Sequence, residues 1–278
     1  MNKPVRTPML VDLMPAPADE LGRTAARAQN FSIERVESGP AASHRFASER
    51  EIILLLPHAG GTLSGDRAMA LPGHSVVIIP AGAYAFALDR PGAFYLLATH
   101  REQADMATPL NADAYASHDA RVRPVGKAYE RIAHVGDVRI HRIEDVTIPP
   151  DNGRLRFLQS ETMSINWVEY DGLRDNSALS PHAHADLEQA SLAIEGQFTH
   201  HLRTPWGRDA RLWQEDQHLH AGPASVVVIP PEIIHTTEGV GDGKHVLVDV
   251  FAPPRADFIA KGWVFNAHEY QAHAEPAA

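Results

Sequence analysis

Residues 180–196 read SPHAHADLEQASLAIEG: two histidines one residue apart, a glutamate four positions later, and an apolar alternating run that ends in glycine. Imidazole nitrogens and carboxylate oxygens are metal ligands, and alternate residues of a strand point to the same side. His182, His184 and Glu188 are all even, so one parity is expected to carry them to the interior of a barrel, with Ala190, Leu192 and Ile194 continuing that face. Gln189, Ser191, Ala193 and Glu195 are then expected on the outer face. A fourth ligand should come from a neighbouring strand, and VVVIPPEIIHTTE offers His235 just after a proline-bearing turn. Three neutral imidazoles and one carboxylate suit a divalent ion, with Fe(II) or Mn(II) expected first and Ni(II), Zn(II) or Cu(II) as alternatives. Four protein ligands leave two adjacent positions on an octahedral ion for a chelating substrate, dioxygen or water. The sequence offers no candidate for a separate acid or base.

The elements that must hold such ligands are short. EIILLLP, HSVVIIPAG, AFYLLAT, DVRIHRI, INWVEY, QASLAIEG, FTHHLR, SVVVIPP and KHVLVDVF are β-branched and aliphatic runs bounded by turn residues. So many of them predict a closed or sandwiched all-β architecture. Helices are expected only over ADELGRTAARAQ near the start and PRADFIAKGW near the end, the second with proline leading and glycine trailing. The chain also resembles itself. LPGHSVVIIPAGAYAFAL (71–88) and HAGPASVVVIPPEIIHTTE (220–238) share a glycine turn, an aliphatic strand, a proline, a tight turn and a second strand. This duplication predicts two similar β-units, residues 1–128 and 129–278, joined through the polar, alanine-rich REQADMATPLNADAYASHDARVRPVG.

These stretches resemble a known family. HAHADLEQASLAIEG looks like the first cupin motif and PPEIIH like the second, with Glu232 where glycine is usual. The resemblance matches His182, His184, Glu188 and His235 one for one with the family's metal ligands. The earlier repeat departs from the pattern. PAGAYA places Ala85 where the ligand histidine belongs, and aligning ILLL with SLAI sets His44, Phe46 and Arg50 against His182, His184 and Glu188, so at most one ligand survives. The resemblance therefore implies a bicupin: two cupin-type (double-stranded β-helix, jelly-roll) barrels in tandem with a few short helices. The C-terminal barrel would be metal-competent and the N-terminal one degenerate, kept for stability and assembly, and the assembly is expected to be a homodimer.

Composition narrows the partners. The 278 residues are long enough for two cores. The 25 Lys and Arg against 35 Asp and Glu give a formal charge of −10, which speaks against nucleic acid or an anionic membrane and for a small molecule. No cysteine is present, so thiol nucleophiles, iron–sulfur clusters and cysteine-held zinc are excluded. No run approaches the ~18 apolar residues of a membrane span, and the beginning lacks a cleavable leader pattern, so a cytoplasmic protein is expected. The HLH at 218–220 has no glutamate after it and reads as strand-edge polarity. His200 and His201 are adjacent, so only one can face inward; Arg255 and Asp257 suit an ion pair; Trp206, Trp213 and Trp263 suit packing. These observations together favour an enzyme whose ion chelates a small oxygen-rich compound for dioxygenase-type oxidation or cleavage. Non-redox isomerisation or lyase chemistry on a sugar acid, or ligand binding without catalysis, are the alternatives.

Overall fold

A computed structural model describes residues 6–14, 22–39, 42–100, 105–150 and 153–272. Every aliphatic run quoted above forms a strand, and two six-stranded sheets carry the architecture. One orders its strands Met9–Asp12, Ser225–Ile229, Gln189–Glu195, Lys244–Phe251, Ser164–Asp171 and Phe157–Gln159. The other orders Arg139–Arg142, Ser75–Ile79, Ile52–Leu56, Gly92–Thr99, Phe31–Ser38 and Arg23–Arg27. The two orders correspond strand for strand, which is the duplication seen in the sequence. Each large sheet faces a smaller one across a barrel interior: Gln217–Ala221, Gln197–Arg203 and Ile234–Val240 close the C-terminal barrel. Ser43–Ser48, Gly82–Leu88, Gly61–Ser64 and Ala68–Leu71 close the N-terminal one.

The large sheets are buried on both faces. Ala190, Leu192, Ile194, Val226, Val228, Val248 and Val250 pack in one cluster with Phe31, Ile33, Ile53, Leu55, Val76 and Ile78 from the other barrel. Their odd-numbered neighbours Ala193, Val227, Ile229 and Leu247 line the C-terminal barrel with Phe198 and Leu202. The barrels thus stand back to back over a shared core. Two strands cross the expected boundary near residue 128. Met9–Asp12 pairs with Ser225–Ile229 in the C-terminal sheet, and Arg139–Arg142 pairs with Ser75–Ile79 in the N-terminal sheet. Each barrel therefore borrows an edge strand from the other half of the chain.

The expected C-terminal helix is present as Ala256–Ala260, stopped by Gly262 at φ 72°. The expected N-terminal helix is not found. Residues 18–21 of that stretch lie outside the described residues, and Arg23–Arg27 is a strand paired with Phe31–Ser38. Thr24, Ala25 and Ala26 are buried there, because the edge of a sheet in the shared core outweighs the weak helix preference of five residues.

Candidate metal centre

The chain between Pro181 and Glu188 is not a continuous strand. His182 forms a single antiparallel bridge with His235: His182 N–H donates to His235 O at 3.0 Å and His235 N–H donates to His182 O at 2.8 Å. The chain then bends at residues 185–186 before pairing resumes at Gln189. This bend breaks the parity expected from the sequence. Glu188, expected beside the histidines, lies elsewhere: its carboxylate accepts from Gln29 N–H at 2.5 Å, Arg6 Nη1 at 3.1 Å and Tyr115 Oη at 3.2 Å. It is 2% exposed, and burial pushes its carboxyl up, against the opposing pull of the Gln29 amide and Arg6. Glu188 thus fastens the N-terminal segment and the inter-barrel connection to the C-terminal barrel.

Gln189 points where Glu188 was expected. Its Oε1 lies 2.9 Å from His184 Nε2 and 3.2 Å from His235 Nε2. Its Nε2 donates to Asp249 Oδ1 at 2.9 Å and to Ser191 Oγ at 3.0 Å, and Ser191 Oγ donates to Asp249 at 2.6 Å. Asp249 also accepts from Asn166 Nδ2 at 3.3 Å. Burial raises the Asp249 carboxyl above its ordinary value, against the pull of the Ser191 and Asn166 donors. The odd face expected to look outward is therefore the wall of the barrel interior, because the even face is covered by the other barrel.

The three histidines come together. His182, His184 and His235 each offer a ring nitrogen, and these lie within 4.8 Å of one another, with ring centroids 4.4–5.3 Å apart. Ligands ~2.1 Å from a common ion stand roughly 3–4 Å apart, so small side-chain rotations close the set. His182 Nδ1 and His235 Nδ1 lie 2.9 Å from the carbonyls of Ser180 and Ile233. A proton on Nδ1 satisfies each carbonyl and leaves Nε2 with its lone pair, the tautomer that metal-binding histidines use. His184 differs. Its Nδ1 faces Arg255 Nη1 at 3.3 Å, which can only donate, so Nε2 carries the proton toward Gln189 Oε1. For an ion to take His184 Nε2, that proton must move to Nδ1 and the Arg255 contact must open. Burial, with Arg255 next, takes His184 down to about 3, and burial takes His235 down to about 4. Both rings are therefore neutral at pH 7 and do not compete for protons with a metal. The residues present fit a divalent ion with three nitrogen donors and one amide oxygen close by.

Glu232, the departure from glycine in the turn before His235, adopts φ 70°. Its N–H donates to His184 O at 2.7 Å and its carboxylate meets Arg121 at 3.0 Å, so the turn geometry is retained in a conformation that costs a non-glycine residue about 1–2 kcal/mol. The remaining histidines stay apart from the cluster. His200 faces inward, fully buried, with Thr237 Oγ1 3.0 Å from its Nδ1. His201 faces the opposite side, where it contacts His218 and Glu238. Arg255 forms the expected pair with Asp257, and Trp206 and Trp213 stack on each other at the surface, 69% and 46% exposed, rather than packing in a core.

In the N-terminal barrel the pairing registers correct the alignment made from sequence. His182 pairs with His235 as Arg45 pairs with Ala85, and Gln189 pairs with Ile229 as Ile52 pairs with Ile79. The equivalents of His182, His184, Gln189 and His235 are thus Arg45, Ala47, Ile52 and Ala85. His44, Phe46 and Arg50 are not at those positions, and no ligand survives; His44 instead packs edge-on against Phe94. Among the described residues, His182, His184 and His235 form the one group with ligating spacing.

Comparison with known proteins agrees with this architecture. No family model and no curated protein sequence matches the chain. Solved structures do. An 11S globulin from Wrightia tinctoria superposes with a TM-score of 0.58 at 10% identity, covering 90% of this chain and 84% of its own. The oxalate decarboxylase of Lactobacillus farciminis, solved as a formate complex, gives 0.54 at 13% identity over 92% and 83%. The oxalate decarboxylase of Bacillus subtilis, described for its Mn(II) centers, gives 0.52 at 10% over 88% and 77%. At these identities the likeness concerns the fold alone, two jelly-roll barrels in tandem, which is the architecture the cupin resemblance of the sequence implies.

Proposed function

We propose that the protein is a metal-dependent enzyme that chelates a small oxygen-rich organic compound on an ion held by His182, His184 and His235, for dioxygenase-type oxidation or cleavage. The observation that carries this reading is the convergence of three imidazoles at the floor of a cavity of about 470 Å³. The Mn(II) centers of the Bacillus subtilis neighbour support an ion in a barrel of this fold. A divalent ion at the histidines supplies Lewis acidity and a template for two substrate oxygens, and in the oxidative case redox chemistry with dioxygen. The chain itself supplies the imidazoles, the orientation of His182 and His235 by backbone carbonyls, and the cavity above them.

One observation favours the non-redox alternative. Asp249 lines the same cavity beside Gln189 and could carry a proton in an isomerase or lyase. Metal analysis of protein purified without an affinity tag, followed by turnover of metal-loaded protein against keto acids, diketones, catechols and uronates, tests the proposal. Activity that requires dioxygen supports oxidation, full turnover under strict anaerobiosis selects the alternative, and protein that takes up no divalent ion refutes both. We also propose a homodimer, which light scattering in solution checks. No helix among the described residues is long and apolar enough to cross a membrane.

A further inference from the structure

The chain as a whole is acidic, yet the cavity above the three histidines is lined by four cations, Arg154, Arg174, Arg255 and Lys261, against two acids, Asp249 and Asp257. Arg255 is already neutralised by Asp257, through two hydrogen bonds of 2.8 Å, and lies over the Phe258 ring at 3.9 Å. Asp249 is enclosed by Gln189, Ser191 and Asn166. Lys261 lies over the Phe258 and Trp263 rings and adds to the field at Asp257, which leaves Arg174 and Arg154 as the cations of the opposite end. Arg174 Nη1 donates to the carbonyl of Thr237, two residues beyond His235, while its Nε is buried with no hydrogen-bond partner. Among the described residues no carboxylate forms an ion pair with it, and Glu238 and Asp249 attract it only from longer range. Burial lowers Arg174, and Arg154 lowers it further, so the two guanidiniums repel each other across this end of the cavity. A half-buried guanidinium whose enclosed Nε has no acceptor, next to a second cation, is unfavourable unless an anion completes it.

We infer that the substrate is a carboxylate with an apolar, aromatic-sized body, its acid group held by Arg174 and Arg154 and its other end directed to the histidines. Guanidinium matches carboxylate with two parallel donors, which sets orientation as well as charge. The body has apolar walls to meet in Phe157, Phe198, Phe251, Phe258 and Trp263. Three imidazoles and the Gln189 amide bring no anionic donor to a divalent ion, so its charge would add to that of the guanidiniums. This inference rests on the proposed function for the role of the histidines, but not for the anion contact itself.

The test is calorimetric binding of benzoate and 3-phenylpropanoate, each against its amide, to the full chain with and without Mn(II). Acids are expected to bind at least tenfold more tightly than amides. Arg174→Gln and Arg154→Gln should each weaken acid binding about tenfold and leave the amides unchanged, with Arg174→Lys retaining part of the difference. Mn(II) binding by the variants should match the native protein, which confirms an intact barrel. The acid–amide comparison on native protein needs no variant, so a misfolded variant does not rescue the idea. Amides that bind as tightly as acids, absence of acid binding, or acid affinity unchanged in both variants overturns it. Acid preference without Mn(II) uptake would sink the metal reading alone, and Mn(II) uptake without acid preference would sink this one alone.

Discussion

Gln189, expected from the sequence on the outer face, turns its carbonyl oxygen to two imidazoles and holds Asp249 with its amide nitrogen. Replacing it with glutamate brings a second carboxylate against Asp249, so Gln189→Glu should lower the melting temperature of metal-free protein. The same change adds an anionic donor beside the imidazoles, so it should tighten Mn(II) binding at least tenfold and enlarge the rise in melting temperature on adding Mn(II). Chelator competition and a melt with and without Mn(II) measure both effects. Glu188→Ala should behave oppositely. It strands the Gln29 N–H, the Tyr115 hydroxyl and the Arg6 guanidinium, so it should cost about 2–4 kcal/mol in denaturant unfolding while leaving metal stoichiometry unchanged. Loss of metal with native stability would return Glu188 to the ligand set.

At the scale of elements, the site depends on strands that cannot be reassigned to one face. The strand Gln189–Glu195 is bordered by Ser225–Ile229 and Lys244–Phe251, with a register shift between Ala193 and Glu195 against the latter. It turns back at Gly196, at φ 89°, where a Cβ would stand 2.7 Å from Lys244 O. The borrowed strand Met9–Asp12 completes this sheet at Ser225–Ile229, and Leu13 beyond it is fully buried. Removing residues 1–13 should therefore expose an edge next to Val226 and Val228 and yield protein that associates or unfolds at lower denaturant. Size-exclusion chromatography and urea unfolding check this; a truncated protein as stable and as well dispersed as the full chain would show that the exchanged strand is dispensable.

At the scale of the molecule, burial fixes the pH response as well as the fold. His200 is fully buried, and burial takes it down to about 3 from the ordinary 6.5. Its folded value is depressed, so the unfolded chain binds the proton first: the stability it contributes is complete above about 6.5 and is lost as pH falls toward the folded value. His200→Gln should accordingly shrink the loss of unfolding free energy between pH 7 and pH 5, measured by urea titration, relative to the native protein. An identical pH slope in both proteins would show that His200 does not titrate this way.

The sequence alone determined the strands, the duplication and the three histidines. Aliphatic runs between turn residues, a repeated strand–proline–turn–strand layout and an HxH paired with a distant histidine are local signals that survive in any β-barrel context. It did not determine which side of the strand Gln189–Glu195 faces the cavity. With Leu192 and Ala193 equally buried, apolar character marks neither face as the interior. Nor could the sequence show that the bend at residues 185–186 turns Glu188 away and Gln189 inward, that Arg45 and Ala47 stand where the other barrel has His182 and His184, or that each half contributes a strand to its neighbour. Those outcomes follow from packing one barrel against the other over a shared core, a contact between residues far apart in the chain that no local pattern encodes.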